Sequence, residues 1–239
     1  TWRRTDRIAA LRKPMREIPK ATPSGRGRWV RLAGFVGITA AVFGAIAANY
    51  LQAPHSQLIE TPKGGREQVV LADGSQIELN TDSAIRVSMG AATRAVELVR
   101  GEAYFQIKHA SSRPFVVTAG PQRVIDLGTK FLVRVLPDAV NVSLVEGRAR
   151  LDNTGSQHST VLSPGDVAVA TAYSTKVTRK SSRALSESLA WQHGNDVFHN
   201  ESLADAVAEL NRYGGPQLVV DDKSAEKLAI NVPSPPWPM

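Results

Sequence analysis

The chain has 239 residues, 42% of them hydrophobic, with 18 Gly, 14 Pro and no Cys. That length holds one medium domain or two small ones, the composition suits a folded chain of short elements, and the lack of Cys excludes disulfides, thiolate metal sites and cysteine nucleophiles. The formal net charge is +7, but residues 1–31 carry ten basic side chains against Asp6 and Glu17, while the rest holds 19 basic and 20 acidic residues; a broad phosphate-binding face, and direct nucleic-acid binding with it, is therefore not expected.

Residues 1–31 are a basic arm. Residues 32–48 carry no charge, and Trp29 and Tyr50 stand at the two ends of the run. Seventeen helical residues span about 25 Å, and including the flank through Leu51 brings the stretch near the bilayer's hydrocarbon thickness. A single transmembrane helix over 32–51 is expected, anchored by Trp29, Arg31 and Tyr50. Because the basic residues precede the run and the next ones are Lys63 and Arg66, the arm belongs in the cytoplasm and the remainder outside it. A cleavable signal peptide is the competing reading, since Ala45-Ile46-Ala47 fits a cleavage site, although the basic segment is long and the apolar run exceeds the usual length. A buried helix of a soluble domain would need a polar face, which the run lacks. Gly37, Ala41 and Ala45 are spaced for close helix approach, so dimerisation in the membrane is a further expectation. The arm itself reads as a topology determinant, a lipid-surface contact or part of a protein-binding site.

A Pro, Gly and polar linker occupies 52–65. Beyond it the chain reads as short strands at 67–71, 76–79, 84–88, 95–99, 103–108, 115–118, 123–127, 130–136, 140–145, 148–151 and 167–171. Turn signals such as Asp73-Gly74, Asn80-Thr81-Asp82 and Pro164-Gly165 separate them. This predicts an all-β domain over 66–178, either a layered sandwich or barrel or a solenoid. Residues 178–188 turn polar and basic and mark a boundary. A small α+β module of βαβ type follows over 189–232. It has a strand at 197–199, a helix with Leu203, Ala206, Val207 and Leu210 on one face, a cap from Asn200 or Ser202, a stop at Gly214, and strands at 217–220 and 229–232. The Pro-rich tail 233–239 is irregular.

No catalytic set emerges. His55, His109, His158, His193 and His199 lack metal-ligand spacing, and Ser75, Ser83, Ser163 and Ser202 sit in turn or cap contexts rather than in a nucleophile elbow. The glycine motifs lack phosphate-binding spacing. Neither a cofactor, a metal nor an enzymatic activity is expected.

Six strings in order carry a resemblance: Val70-Leu71-Ala72-Asp73-Gly74-Ser75, Leu79-Asn80-Thr81-Asp82-Ser83-Ala84, Leu98-Val99-Arg100-Gly101-Glu102-Ala103-Tyr104-Phe105, Arg113-Pro114-Phe115-Val116-Val117, Leu127-Gly128-Thr129-Lys130-Phe131 and Val145-Glu146-Gly147-Arg148. Together they resemble the FecR family of anti-sigma regulators across about 66–172. The stretch 191–232, with Trp191-Gln192-His193-Gly194 and Leu203 to Tyr213, is similar to the short N-terminal domain of secretins and TonB-dependent transporters. The resemblance implies a single-pass inner-membrane regulator that relays a signal, such as that of an iron or siderophore uptake system, from a TonB-dependent outer-membrane transducer to an extracytoplasmic-function sigma factor. It places the transducer's signalling domain against Val197, Phe198, Leu203, Val207, Leu210 and Tyr213, and the sigma factor against Trp2, Ile8 and Leu11. Against the family pattern, residues 1–17 correspond only to the last helix of the sigma-binding domain, and 233–239 replace the usual continuation. A membrane-tethered periplasmic scaffold without regulatory role is the alternative from another class.

Overall fold

The computed structural model describes residues 55–90, 94–110, 113–126 and 128–233. The membrane segment 32–51 with Trp29, Arg31 and Tyr50, the arm with Trp2, Ile8 and Leu11, and the tail 234–239 lie outside the described residues. Among the described residues no helix is long and apolar enough to cross a membrane.

Fourteen strands form two seven-stranded sheets. The first runs in the order β1 (His55–Glu60), β4 (Ala84–Met89), β5 (Arg94–Arg100), β7 (Phe115–Ala119), β8 (Gln122–Asp126), β11 (Ala149–Asn153) and β12 (His158–Leu162). The second runs β14 (Thr175–Arg179), β13 (Asp166–Ala170), β10 (Val140–Glu146), β9 (Lys130–Val135), β6 (Glu102–Gln106), β3 (Gln76–Leu79) and β2 (Glu67–Val70). Neighbours are antiparallel except β5 and β7, which pair in parallel from Arg94 opposite Phe115 to Glu97 opposite Thr118. One apolar core takes side chains from both sheets, among them Ile85, Leu98, Phe115 and Leu151 from the first and Ile77, Leu79, Phe131 and Leu144 from the second. The arrangement is a two-layer β fold. Its strands alternate as a half-buried sheet should: Arg94, Val96 and Leu98 of β5 point inward, as do Phe115, Val117 and Ala119 of β7.

Three strands depart from the sequence expectation, and all three are sheet edges. β1 lies in the stretch expected to be linker and pairs with β4 over six residues. β12 buries only Leu162 and β14 buries no residue, so neither carries an apolar alternation to read. Gly101 illustrates why turn positions are fixed: its φ is +83°, and a side chain there would collide with Ser83.

The C-terminal module consists of α1 (Ser182–Ser188), a 3₁₀ turn at Ala190–His193, β15 (Val197–Ser202), α2 (Leu203–Arg212), a second 3₁₀ turn at Ala225–Lys227 and β16 (Ala229–Pro233). Ser181 caps α1 and Ser202 caps α2, each offering its hydroxyl oxygen to an orphan N–H of the first turn. Helix α2 packs against β15, β16 and the second 3₁₀ turn. β15 and β16 form a two-stranded antiparallel sheet. The strand expected at 217–220 does not form. Instead the Asn211 side chain donates to the Leu218 carbonyl and accepts from the Leu218 N–H, each at 2.9 Å. One amide thus takes both backbone groups that a neighbouring strand would have used.

Arg94 is an inward-facing cation at the start of β5, with only 2% of its side chain exposed. It pairs with Asp73 at 2.8 Å, donates to the carbonyls of Arg113 and Lys108, and lies 5.5 Å from the centre of the Phe115 ring. Burial raises the Asp73 pKa, but hydrogen bonds from the Ser75 N–H and hydroxyl and from Arg94 outweigh it and hold the carboxyl below its ordinary value of 3.8. A carboxyl depressed on folding contributes stability above its unfolded pKa and loses it as pH falls. Asp73→Ala is expected to lower stability at pH 7 by about 3–5 kcal/mol, because it strands a buried cation. The loss should shrink on acidification below pH 4, as read by urea denaturation at several pH values.

Candidate functional site

Strands β6 and β9 are buried on both faces. Glu102, Ala103, Tyr104 and Phe105 are all buried, as are Phe131, Leu132 and Val133. Phe105 and Phe131 point into the core and stack with ring centres 5.0 Å apart. Tyr104 and Leu132 point the other way, where Trp191 of the first 3₁₀ turn packs on them with Val145 and Leu189 nearby. The outer face of the second sheet is therefore the seat of the C-terminal module.

A polar network crosses this junction. Asn80, at the end of β3 and fully buried, donates to Glu102 Oε2 at 2.9 Å and to the Tyr213 hydroxyl at 3.1 Å. Glu102 Oε2 also receives Arg212 Nη1 at 3.2 Å. Arg212 pairs in addition with Glu209, which Arg134 of β9 meets at 2.7 Å. Thr81 donates to the Arg212 carbonyl at 3.1 Å and accepts from the Gly64 N–H at 2.7 Å. Arg66 donates to the Trp191 carbonyl. Gly64 has a φ of +76°, and a Cβ there would stand 2.8 Å from the Tyr213 carbonyl oxygen, so only glycine lets the two backbones approach. The charges of Glu102, Arg212, Glu209 and Arg134 are tolerable in this site because each has an opposite partner.

The electrostatics follow the burial. Desolvation works against the Arg212 cation, but Glu209, Glu102 and Tyr213 more than restore it and raise its pKa. Burial pushes the Tyr213 phenol well up. Asp196 is 8% exposed. Burial, then Glu209, raise its pKa above the ordinary 3.8, against the opposing effects of Tyr213 and Arg212.

Of the residues expected to meet a transducer, Phe198 is buried and Tyr213 is tied to Asn80. Val197, Leu203, Val207 and Leu210 are half-buried. The apolar side chains that the module leaves outward are Leu218, Val219 and Leu228. Sequence reasoning missed Asn80, Glu102 and Arg134 as junction residues. The available signal was the pair of unbroken apolar runs Ala103-Tyr104-Phe105 and Phe131-Leu132-Val133, which mark strands covered on both faces.

Residues 57–150 match the family model described as FecR protein. This stretch is a FecR-family domain. It runs from β1 into β11 and includes Arg66, Asn80, Thr81, Glu102 and Arg134, which hydrogen-bond or pair with the C-terminal module. Two crystal structures of a candidate anti-sigma factor from Parabacteroides distasonis share the fold at 22% identity. They have TM-scores of 0.61 and 0.60, cover 75% and 74% of this chain, and match over 84% of their own length in each case. The shared fold covers more of the chain than the family match does. No curated protein matches the chain.

Arg212→Ala should leave Glu102 buried without its cation and destabilise the protein by about 3–5 kcal/mol, whereas Tyr213→Phe, which removes the hydrogen bonds of its hydroxyl with Asn80 and Asp196, should cost about 1–3 kcal/mol; chemical denaturation reads both. Asp196→Asn has the opposite sign. A carboxyl raised on folding keeps its proton longer in the folded state, so stability falls as pH rises from about 4 through its folded pKa. The Asn variant should have a higher thermal midpoint than the parent at pH 7 and an equal one at pH 3.

Proposed function

We propose that this protein is a membrane-anchored regulator of an extracytoplasmic-function sigma factor, with residues 1–31 in the cytoplasm, 32–51 crossing the inner membrane, and the FecR domain and C-terminal module in the periplasm. The observation that carries this reading is the FecR domain at 57–150. The fold shared with the candidate anti-sigma factor supports it, as does the charge asymmetry around the apolar run. Regulation here is by binding rather than by catalysis, with Trp2, Ile8 and Leu11 meeting the sigma factor.

The periplasmic input comes from the signalling domain of a TonB-dependent transducer serving iron or siderophore uptake. Its contact is the outward side of the C-terminal module. Residues 217–220 form no regular element, Leu218 and Val219 are 44% and 80% exposed, and β15–β16 is a sheet of only two strands among the described residues. Exposed apolar side chains on a module with so short a sheet suit strand addition by a small mixed domain. The half-buried Val197, Leu203, Val207 and Leu210 of the same module complete the proposed contact.

Full-length protein is expected to co-purify with its sigma factor, and an alkaline phosphatase fusion after residue 233 should be active while one after residue 31 is not. Loss of sigma-factor co-purification would favour the static scaffold. Deleting 191–239 would also uncover Tyr104 and Leu132, so a point substitution is the cleaner probe of the transducer surface. Val219→Asp should reduce capture by the transducer's signalling domain by roughly tenfold or more, the effect of desolvating an unpaired charge at an interface, with an unchanged thermal midpoint. Undiminished capture would remove residues 217–220 from the contact.

A further inference from the structure

Between the second sheet and the C-terminal module lies a cleft of about 770 Å³ whose chemistry the junction network does not use up. Four side-chain atoms along its wall are buried without a hydrogen-bond partner: Asn141 Oδ1, Trp191 Nε1, Asn195 Oδ1 and Asp196 Oδ2. Trp191 and Asp196 are both more than nine-tenths buried, at 6% and 8% exposure. Buried polar groups in folded proteins are ordinarily paired, so each such atom calls for an explanation. Four around one cleft share one.

The atoms specify the complement. Three are acceptors, one of them a carboxylate oxygen, and one is a donor. Six acidic side chains line the cleft against three basic ones. Two of the three bases are already engaged, Arg134 with Glu209 and Arg212 with Glu102 and Glu209. Asp196 forms no ion pair among the described residues. Burial and then Glu209 raise the pKa of both Asp196 and Glu201, so a cation arriving here would relieve both. The acids do not gather into a set of three or more metal-ligating side chains among the described residues, which favours an organic cation bearing several N–H donors. The indole N–H of Trp191 calls in addition for an acceptor close to that cation, as a peptide carbonyl would be.

We propose that this cleft binds a basic side chain, ammonium or guanidinium, carried on a peptide backbone, with Asp196 and Asn195 receiving the cation and the Trp191 N–H receiving a neighbouring carbonyl. The site stands on the geometry of the cleft and does not depend on the sigma-factor reading. It is also distinct from the outward segment 217–220.

The chain contains four Trp, so replacing Trp2, Trp29 and Trp237 by Phe leaves Trp191 as the sole indole reporter. The full chain in detergent is titrated with an N-acetylated, C-amidated Ala-Arg-Ala peptide, with its Ala-Gln-Ala counterpart, and with methylguanidinium, all at constant ionic strength. The Arg peptide should give a saturable change in Trp191 emission, with the Gln peptide and methylguanidinium each binding roughly tenfold more weakly or worse, the loss expected when a charge-assisted contact or the backbone contact is removed. Asp196→Asn should weaken the Arg peptide by a similar factor while the thermal midpoint does not fall. Glu201→Lys, at an exposed strand position, should weaken it as well by placing a competing cation at the mouth. Equal affinity for the Arg and Gln peptides, or unchanged affinity in both variants, would overturn the cation site. Methylguanidinium binding as tightly as the Arg peptide would overturn the peptide-borne part and leave a small-cation site.

Discussion

Glu102 opens β6 with its carboxylate almost wholly removed from water, and that charge is tolerable only because Arg212 reaches it from α2. The remaining arrangement at the junction follows from this pairing. Asn80 must turn its amide toward the same carboxylate and the Tyr213 hydroxyl, and Gly64 must lack a side chain so that the Tyr213 carbonyl can approach. Arg134 must balance Glu209, which would otherwise compete for Arg212 unopposed. A single unpaired charge would cost more than most apolar contacts in the interface supply. The module is therefore positioned by electrostatic matching, with Trp191 on Tyr104 and Leu132 providing the apolar contact beneath it.

The strands legible in the sequence were those that carry a buried face or an unbroken apolar run between turn residues. In β5 and β7 every second side chain is buried, Val96 and Leu98 in one and Phe115, Val117 and Ala119 in the other, and Gly101 and Pro114 punctuate the chain between them, so period and punctuation agree. β1, β12 and β14, which the sequence reading did not include, are all sheet edges with most of their described residues exposed. The segment 217–220 failed for a different reason. Its apolar, β-branched composition is that of a strand, but the Asn211 side chain satisfies Leu218 locally, and composition does not report which partner a backbone finds.

The candidate site was less legible than the fold. The strings 79–84 and 98–105 read as turn and strand architecture, and they are architecture. Their buried polar members Asn80, Thr81 and Glu102 also form the receiving side of the junction. Nothing local to Glu102 says that its partner stands 110 residues away. The cap at Ser202, expected there or at Asn200, could be read from its place before the helix, whereas the cleft that the module encloses arises only once two separate parts of the chain meet.

That separation has a consequence for the order of assembly. Asn80 and Tyr213 are 133 residues apart, so a ribosome working from the N-terminus completes the β layers well before α2 exists. In that interval Tyr104 and Leu132 face water and Glu102 is hydrated. The nascent intermediate thus carries a sticky, still-charged flank that only the segment from Ser182 onward can cover. Chaperone dependence of biogenesis should accordingly concentrate on this one flank rather than on the interior of the sheets.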